Sequence, residues 1–127
     1  MQEHKIIFHI DQMDKWDILL KDVDILLKAL SNKKFHIEVL ANSEAFKFYD
    51  VNENTNANIS LMRNLNKKGV KFIVGKNHLI NNNLDMKRLL NFVDTVPVGS
   101  LELINKQNDG YICLEAWDPF NTINKAC

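Results

Sequence analysis

Short apolar runs, several of them rich in β-branched residues, recur along the chain and predict strands. Residues 5–10 and 35–40 contain few polar positions, which favours strands that are covered on both faces. Further strands are predicted at residues 70–74, 94–96 and 111–115. Strand segments are therefore expected from one end of the chain to the other.

Residues 16–30 follow the first strand and carry apolar side chains at helical spacing, which predicts an amphipathic helix. Asp14 is expected to cap this helix. Ile18, Ile25 and Ala29 lie opposite the main apolar stripe, at about 100° per residue. They are interpreted either as isolated exposed apolar residues, which are common, or as a contact between subunits.

Beyond the second strand, Ser43 is expected to cap a short helix over residues 44–49. The polar residues 50–58 have little to bury, so they are expected to form a mobile surface loop. The next helix includes Ile59 and is expected to end before Lys67-Lys68-Gly69, with Gly69 as its C-cap.

Two more helices are predicted towards the end of the chain. Apolar residues within 84–93 follow a helical spacing. The last helix is expected to begin at Pro97, because proline suits the first helical position. Three of its apolar side chains are expected to face the core: Val98, Leu101 and Ile104.

Strands and helices therefore alternate about five times. This order favours right-handed crossovers and a mostly parallel sheet, which is an α/β architecture with three α/β/α layers. The 127 residues form about one domain, with its core at about 4–115 and a C-terminal tail over 116–127. Trp117 and Phe120 are expected to pin this tail to the domain or to a neighbour.

Composition narrows the function classes. Sixteen basic and sixteen acidic residues balance, so no net field favours nucleic acid or an anionic membrane. No apolar run approaches the roughly 18 residues that span a bilayer, and the amino terminus lacks the apolar core of a signal peptide. Cys113 and Cys127 do not have the spacing of a zinc site, and the usual nucleotide-binding motifs are missing. We therefore expect a reduced, cytoplasmic protein without a metal or cofactor.

A polar, basic segment follows the third strand, in Lys71-Phe-Ile-Val-Gly-Lys-Asn-His-Leu79. In parallel α/β domains, ligands gather beyond the carboxyl ends of the strands. The residues expected to line a pocket at this edge are polar or lie in tight turns: Asp11, Gln12, Asn42, Ser43, Gly75, Lys76, Asn77 and His78.

Individual side chains of this edge carry alternative interpretations. Asn77 is expected either to hold its own loop in shape or to contact a ligand. His78 can titrate near neutrality and Lys76 can attract an anion, or both are solvated residues without a role. Asp11 and His78 are a candidate acid–base pair, whereas His9, within the first strand, is interpreted as a core or interface histidine.

The order and spacing of these motifs resemble the DsrE-like family. The resemblance covers about residues 4–115. The matching segments are His9-Ile-Asp11, Trp16 with the 25–30 helix, Glu38-Val-Leu-Ala-Asn42, Phe72-Ile-Val-Gly-Lys-Asn-His-Leu79, and Val96-Pro97 with Gly110-Tyr-Ile112.

The resemblance implies an α/β/α sandwich around a five-stranded parallel sheet, and self-assembly into trimers or hexamers. The resemblance also implies a reaction, persulfide relay. Relatives such as DsrE and TusD pass persulfide sulfur on through a cysteine in the loop after the third strand. Gly75 stands where that cysteine would be. Persulfide relay needs a thiolate, and neither Lys76 nor His78 can carry the sulfur.

These observations favour a non-catalytic or small-ligand-binding member of the family, which takes a small anionic or sulfur-containing ligand near Gly75. No catalytic residue is assigned. One alternative is a sulfur-transfer protein that uses Cys127 or Cys113. Another is a scaffold subunit of a mixed sulfur-relay complex, in which a partner supplies the cysteine.

Overall fold

Five parallel strands form the sheet at the centre of the protein. The computed structural model describes residues 3–115. The strands are β1 (His4–Ile10), β2 (Phe35–Ala41), β3 (Val70–Gly75), β4 (Val93–Val96) and β5 (Ile112–Glu115). Their spatial order is β4-β3-β2-β1-β5, and every neighbouring pair is parallel. The predicted α/β sandwich is confirmed.

Four α-helices and three 3-10 helices connect the strands. The α-helices are α1 (Trp16–Ala29), α2 (Asn56–Lys67), α3 (Lys76–Asn81) and α4 (Gly99–Asn108). The 3-10 helices are Met13–Lys15, Ser43–Tyr49 and Met86–Arg88. From β1 to β4 each connection moves to the adjacent strand in one direction, whereas the connection through α4 returns across the whole sheet to β5. Right-handed crossovers therefore place α4 on the face opposite to α1 and α2.

The larger core lies on the face covered by α1 and α2. Trp16 is buried there, stacks on Phe48 at a ring-centroid distance of 4.6 Å, and donates its indole N–H to the carbonyl oxygen of Ala45 at 3.0 Å. Tyr49 is also buried and donates its hydroxyl to the carbonyl oxygen of Val39 at 2.7 Å. These bonds satisfy the polar ends of both rings and fix the 3-10 helix Ser43–Tyr49 against the sheet.

The second face has a smaller core, formed by Ile7, Leu40, Ile73 and Cys113, with Leu103 of α4 packed against it. No helix within residues 3–115 is both long enough and apolar enough to span a membrane.

Several predicted helix starts are wrong. Helix α1 begins at Trp16 with no side-chain cap, because residues 13–15, which include Asp14, form a 3-10 turn in which the Lys15 N–H donates to the Gln12 carbonyl oxygen at 3.3 Å. Ser43 does not cap its helix either. It has a φ of +49°, and the N-cap position belongs to Asn42, whose side chain makes no cap bond.

The segments on either side of α2 also differ from the prediction. The expected loop over residues 50–58 is shorter, since α2 begins at Asn56 after a Thr55 cap that accepts a hydrogen bond from the Asn58 amide at 3.2 Å. Asp50 is buried and pairs with Arg88. Helix α2 runs one residue further than predicted, to Lys67, and its C-cap is Lys68, so Gly69 follows the cap with a φ of +111°.

The helix predicted over residues 84–93 is wrong. That segment forms only the 3-10 turn Met86–Arg88 before β4, because its backbone bonds to a neighbouring segment instead of to itself. Leu90 N–H donates to the Tyr49 carbonyl oxygen at 2.9 Å, and Leu89 bridges to Asp50. Conversely, the predicted loop after Gly75 contains helix α3.

Helix α4 is present but rotated from the predicted orientation. Val98, Leu101 and Ile104 were expected to face the core, yet they are exposed by 38%, 50% and 54%. The side of α4 that faces the sheet carries Leu103 and Lys106, because Lys106 lies beside a buried acidic residue of β2.

That acidic residue is Glu38, in the central strand. It is 4% exposed; Lys106 Nζ lies 3.6 Å from its Oε2, and this oxygen accepts no hydrogen bond from the described residues. Burial raises the pKa of Glu38 above its ordinary value, although the ammonium groups of Lys106 and Lys71 oppose the shift. Burial lowers the pKa of Lys106, but Glu38, with Tyr111 and Glu102, raises it to a net value above the ordinary one.

We predict that Glu38→Gln increases the free energy of unfolding at pH 7. Because the folded-state pKa of Glu38 is raised, its favourable contribution is complete below the ordinary value of 4.5 and is lost as pH rises through the folded-state value. Urea denaturation between pH 4 and 8 should show the variant above the wild type at pH 7, with the difference shrinking towards pH 4. Glu53→Gln, at an exposed position, is the control. If the variant is less stable than the wild type at pH 7, the attraction between Glu38 and Lys106 exceeds the free-energy cost of burying the Glu38 carboxylate.

Candidate functional site

One asparagine links two histidines at the carboxyl edge of the sheet. Asn42 follows β2, His9 lies near the end of β1, and His78 lies in α3 directly after β3. Asn42 Nδ2 donates to His9 Nε2 at 3.0 Å, and His78 Nε2 donates to Asn42 Oδ1 at 3.1 Å. Both polar atoms of the carboxamide are therefore used.

The backbone of Asn42 is held on both sides. Its N–H donates to the Ile10 carbonyl oxygen at 2.8 Å, which extends the ladder between β1 and β2 by one bond. Its carbonyl oxygen accepts the N–H of Ala45 at 3.1 Å. These bonds fix the direction in which the side chain leaves the sheet, so the carboxamide is positioned before any ligand arrives.

Each histidine has a second neighbour. His9 Nδ1 lies 3.7 Å from Glu115 Oε1, because the two residues are register partners on β1 and β5. The side chain of His9 is 17% exposed and that of Glu115 is 39% exposed. The ring of His78 stacks on Phe46, with centroids 6.0 Å apart and planes 15° from parallel. A row of polar groups thus runs from β5 across β1 and β2 to α3.

Gly75 and Gly99 come into direct contact at this edge. A Cβ atom placed on Gly75 would lie 2.5 Å from the backbone nitrogen of Gly99 and would also collide with Asn77 Oδ1. A Cβ atom on Gly99 would collide with Asn42 Oδ1. The φ of Gly75 is −77°, which any residue can adopt, so the requirement for glycine is steric. No side chain fits at position 75 without displacement of the start of α4.

Asn77 belongs to the same junction. Its backbone N–H donates to the Pro97 carbonyl oxygen at 3.3 Å, which ties α3 to the segment before α4. Its Oδ1 atom is buried and has no hydrogen-bond partner among residues 3–115. Of the two interpretations of Asn77, the backbone bond supports a role in holding the loop.

The structure brings only part of the predicted rim together. Asn42, Gly75, Asn77 and His78 meet at the junction described above. The other predicted residues are exposed around it: Asp11, Gln12, Ser43 and Lys76. Among residues 3–115 no hydrogen bond or ion pair joins Asp11 to His78, so the candidate acid–base pair is not formed in this structure.

Sequence reasoning missed two members of the polar row. His9 is partly buried, as expected for a core histidine, but its partner is Asn42. Glu115 was not considered. The available signal was that both are polar residues at the ends of apolar strands, which a parallel sheet places at the same edge.

The remaining chemistry-bearing groups lie elsewhere. Cys113 is 4% exposed in the smaller core, opposite Ile7. Cys127, Trp117 and Phe120 lie outside the described residues. Within residues 3–115, no three side chains of His, Cys, Asp or Glu come together as candidate metal ligands.

We predict that Gly75→Ala lowers the free energy of unfolding by about 1–3 kcal/mol, the usual cost of an added methyl group in a packed interior. Adding Asn77→Ala removes the side-chain collision but not the collision with Gly99 N, so the double variant should recover only part of the loss. Urea denaturation measures both variants. An unchanged midpoint for Gly75→Ala would show that the two glycines are not in contact in solution.

Comparison with known proteins finds similarity at the level of the fold. No protein-family model matches the sequence, and no similar protein was found among curated proteins. Among solved structures, the chain is similar to MTH1491 from Methanobacterium thermoautotrophicum, a protein of unknown function. The TM-score is 0.78 at 24% sequence identity, and the match covers 88% of this chain and 98% of the other. At this level of identity, the likeness shows the shared α/β fold.

Proposed function

We propose that this protein is a DsrE-like, cytoplasmic, small-ligand-binding protein that does not relay persulfide sulfur by the family route. The observation that carries the proposal is the contact between Gly75 and Gly99, which leaves no room for a thiol side chain where the family cysteine would be. The same edge presents two histidines and an asparagine in a fixed arrangement. The arrangement supports binding, and the nucleophile that transfer would need is absent from that position.

The ligand proposed for this edge is a small anion, including sulfur oxyanions. Lys76 is exposed next to the junction, and His78 lies two residues further along α3. The first turn of α4, which begins at Gly99, adds the partial positive charge of a ten-residue helix. Asp11 and Glu115 lie at the β1 and β5 side, so the favourable site for an anion is on the β3 side of the row.

We predict that thiosulfate and sulfate shift the ring resonances of His78 in an NMR titration, and that Lys76→Ala weakens binding about tenfold. That factor corresponds to roughly one charge-assisted hydrogen bond. Lys33→Ala, which removes the same charge from the exposed turn after α1, should leave the affinity unchanged. Equal weakening by both variants would indicate a non-specific charge effect.

The sulfur-transfer alternative gives a different result. A stoichiometric sulfane-sulfur adduct on Cys113 or Cys127 after incubation with a persulfide donor, measured by mass spectrometry, would support it and contradict our proposal. Two observations argue against Cys113: its side chain is buried, and it is disulfide-bonded, so it presents no free thiolate to a donor. The mixed-complex alternative instead requires a partner that carries the cysteine, and a pull-down that recovers only this protein would count against it.

We also propose that the protein self-associates through the outer face of α4. Leu101 and Ile104 are exposed along one side of this helix, and Val98, its N-cap residue, is exposed next to them. Within the described residues, α4 is the only helix on the second face. With sixteen basic and sixteen acidic residues, copies carry no net charge to keep them apart. A second copy is therefore the proposed occupant of this apolar stripe. The assembly size expected from the family resemblance is a trimer or hexamer.

We predict that Leu101→Lys with Ile104→Lys lowers the mass measured by light scattering, because charges at a buried contact are costly. Ile18→Lys with Ile25→Lys on α1 is the matched pair, since Ile25 is 67% exposed on the other face of the molecule. A lower mass for the α1 variant alone would indicate that the contact between copies lies on α1 and not on α4. Unchanged masses for both would contradict self-association through either helix.

A further inference from the structure

A single carboxamide serves two imidazole rings at the candidate site. Asn42 offers one acceptor, Oδ1, and one donor group, the Nδ2 amide. Each faces the Nε2 atom of a histidine, at 3.1 Å for His78 and 3.0 Å for His9. The two histidines are therefore bonded to chemically opposite ends of one group.

This arrangement assigns opposite proton positions to the two rings. Because Asn42 Nδ2 can only donate, His9 Nε2 must carry no proton and its proton resides on Nδ1, facing Glu115. Because Asn42 Oδ1 can only accept, His78 Nε2 must carry a proton and its Nδ1 is bare. Rotation of the carboxamide by 180° exchanges the two roles, but one Nε2 atom still has to be unprotonated.

We infer that the His9–Asn42–His78 unit holds one imidazolium and not two, and that, with the carboxamide oriented as in this structure, His78 is the ring that takes the proton. His78 gains a proton at Nδ1 with both hydrogen bonds unchanged. His9 would gain its proton at Nε2, where it would point at the Asn42 amide hydrogens. If both rings were doubly protonated, the Nε2–H group of His9 would face the N–H group of the Asn42 amide. The hydrogen bond between them would then be lost.

The hydrogen-bond pattern carries this assignment against the surrounding charges, because a carboxylate favours a charged His9 and the ammonium group of Lys76 disfavours a charged His78. Glu115 faces His9 from β5, and the exposed Asp11 follows β1. On the other side, Lys76 precedes His78 in α3, and the 3-10 helix packed on His78 contributes the uncharged ring of Phe46. The α4 side contributes Gly99, which has no side chain. A protonated His78 beside Lys76 makes a cationic pair for the anion, and this part rests on the proposed function.

The first test uses the protein without ligand. Long-range ¹H–¹⁵N NMR of the histidine rings should show, at pH 8, opposite states at the two Nε2 atoms, with His78 protonated and His9 bare. On acidification to pH 5.5, His78 should gain a proton at Nδ1 while His9 Nε2 stays bare. Two rings with the same Nε2 state would overturn the inference, whichever anion binds.

Asn42→Asp is the matched variant, because a carboxylate has nearly the same shape but accepts from both rings. Both Nε2 atoms should then carry protons, and both rings should become imidazolium over the same pH range. If the two rings of the variant keep opposite Nε2 states, the carboxamide is not what separates them. If the variant does not fold, the wild-type spectrum alone decides.

The second test counts protons on binding. Calorimetric titration with sulfate at pH 7, in two buffers of different protonation enthalpy, should show uptake of at most about one proton by the wild type. Uptake approaching two protons by the wild type would overturn the inference. Absence of sulfate binding would contradict the proposed function. It would not bear on the protonation states of the two Nε2 atoms, which the first test measures.

Discussion

The backbone contact between Gly75 and Gly99 is the constraint on which the carboxyl edge depends. It lets the start of α4 approach the end of β3 more closely than any side chain at either position would allow. With Gly99 in that position, Asn42 Oδ1 fits against its Cα, where it accepts the bond from His78. The close approach of Asn42 and β3 to the start of α4 thus depends on the absence of a side chain at positions 75 and 99.

The two faces of the sheet are stabilised in different ways. The face under α1 and α2 has most of the buried apolar side chains, and its polar groups, such as the Trp16 indole, have good partners. The face under α4 has a small apolar cluster and a buried carboxylate, Glu38, whose amine partner lies beyond hydrogen-bond distance. Burial of that charge costs free energy, so α4 is expected to be held less firmly than α1.

Much of the fold was predictable because local patterns agreed with the tertiary structure. Strands that are covered on both faces appear in the sequence as continuous apolar runs. The apolar stripe of α1 that begins at Trp16 likewise identifies the side of the helix that is buried. The segment 84–93 was not predictable, because Leu89 and Leu90 fit a helical spacing equally well. Their conformation follows from backbone bonds to the segment around Asp50, which no local pattern encodes.

The candidate site was predictable in location but not in arrangement. Asn42 and His78 follow the ends of two strands, and because these strands are parallel neighbours, both residues lie at the same edge of the sheet. The link from Asn42 to His9 depends on side-chain directions that only the packed structure determines. For the same reason, Leu101 and Ile104 were predicted on the wrong side of α4, because the side that packs on the sheet carries Leu103 and Lys106.

The glycine contact also limits where a thiol could be placed at this edge. A Cβ atom at position 75 would meet the backbone nitrogen and Cα of Gly99, and these atoms are present whatever residue occupies position 99. Room for a cysteine side chain would therefore require the start of α4 to move away from the end of β3. That movement would displace the backbone against which Asn42 Oδ1 packs, so a thiol and the present polar row compete for the same space.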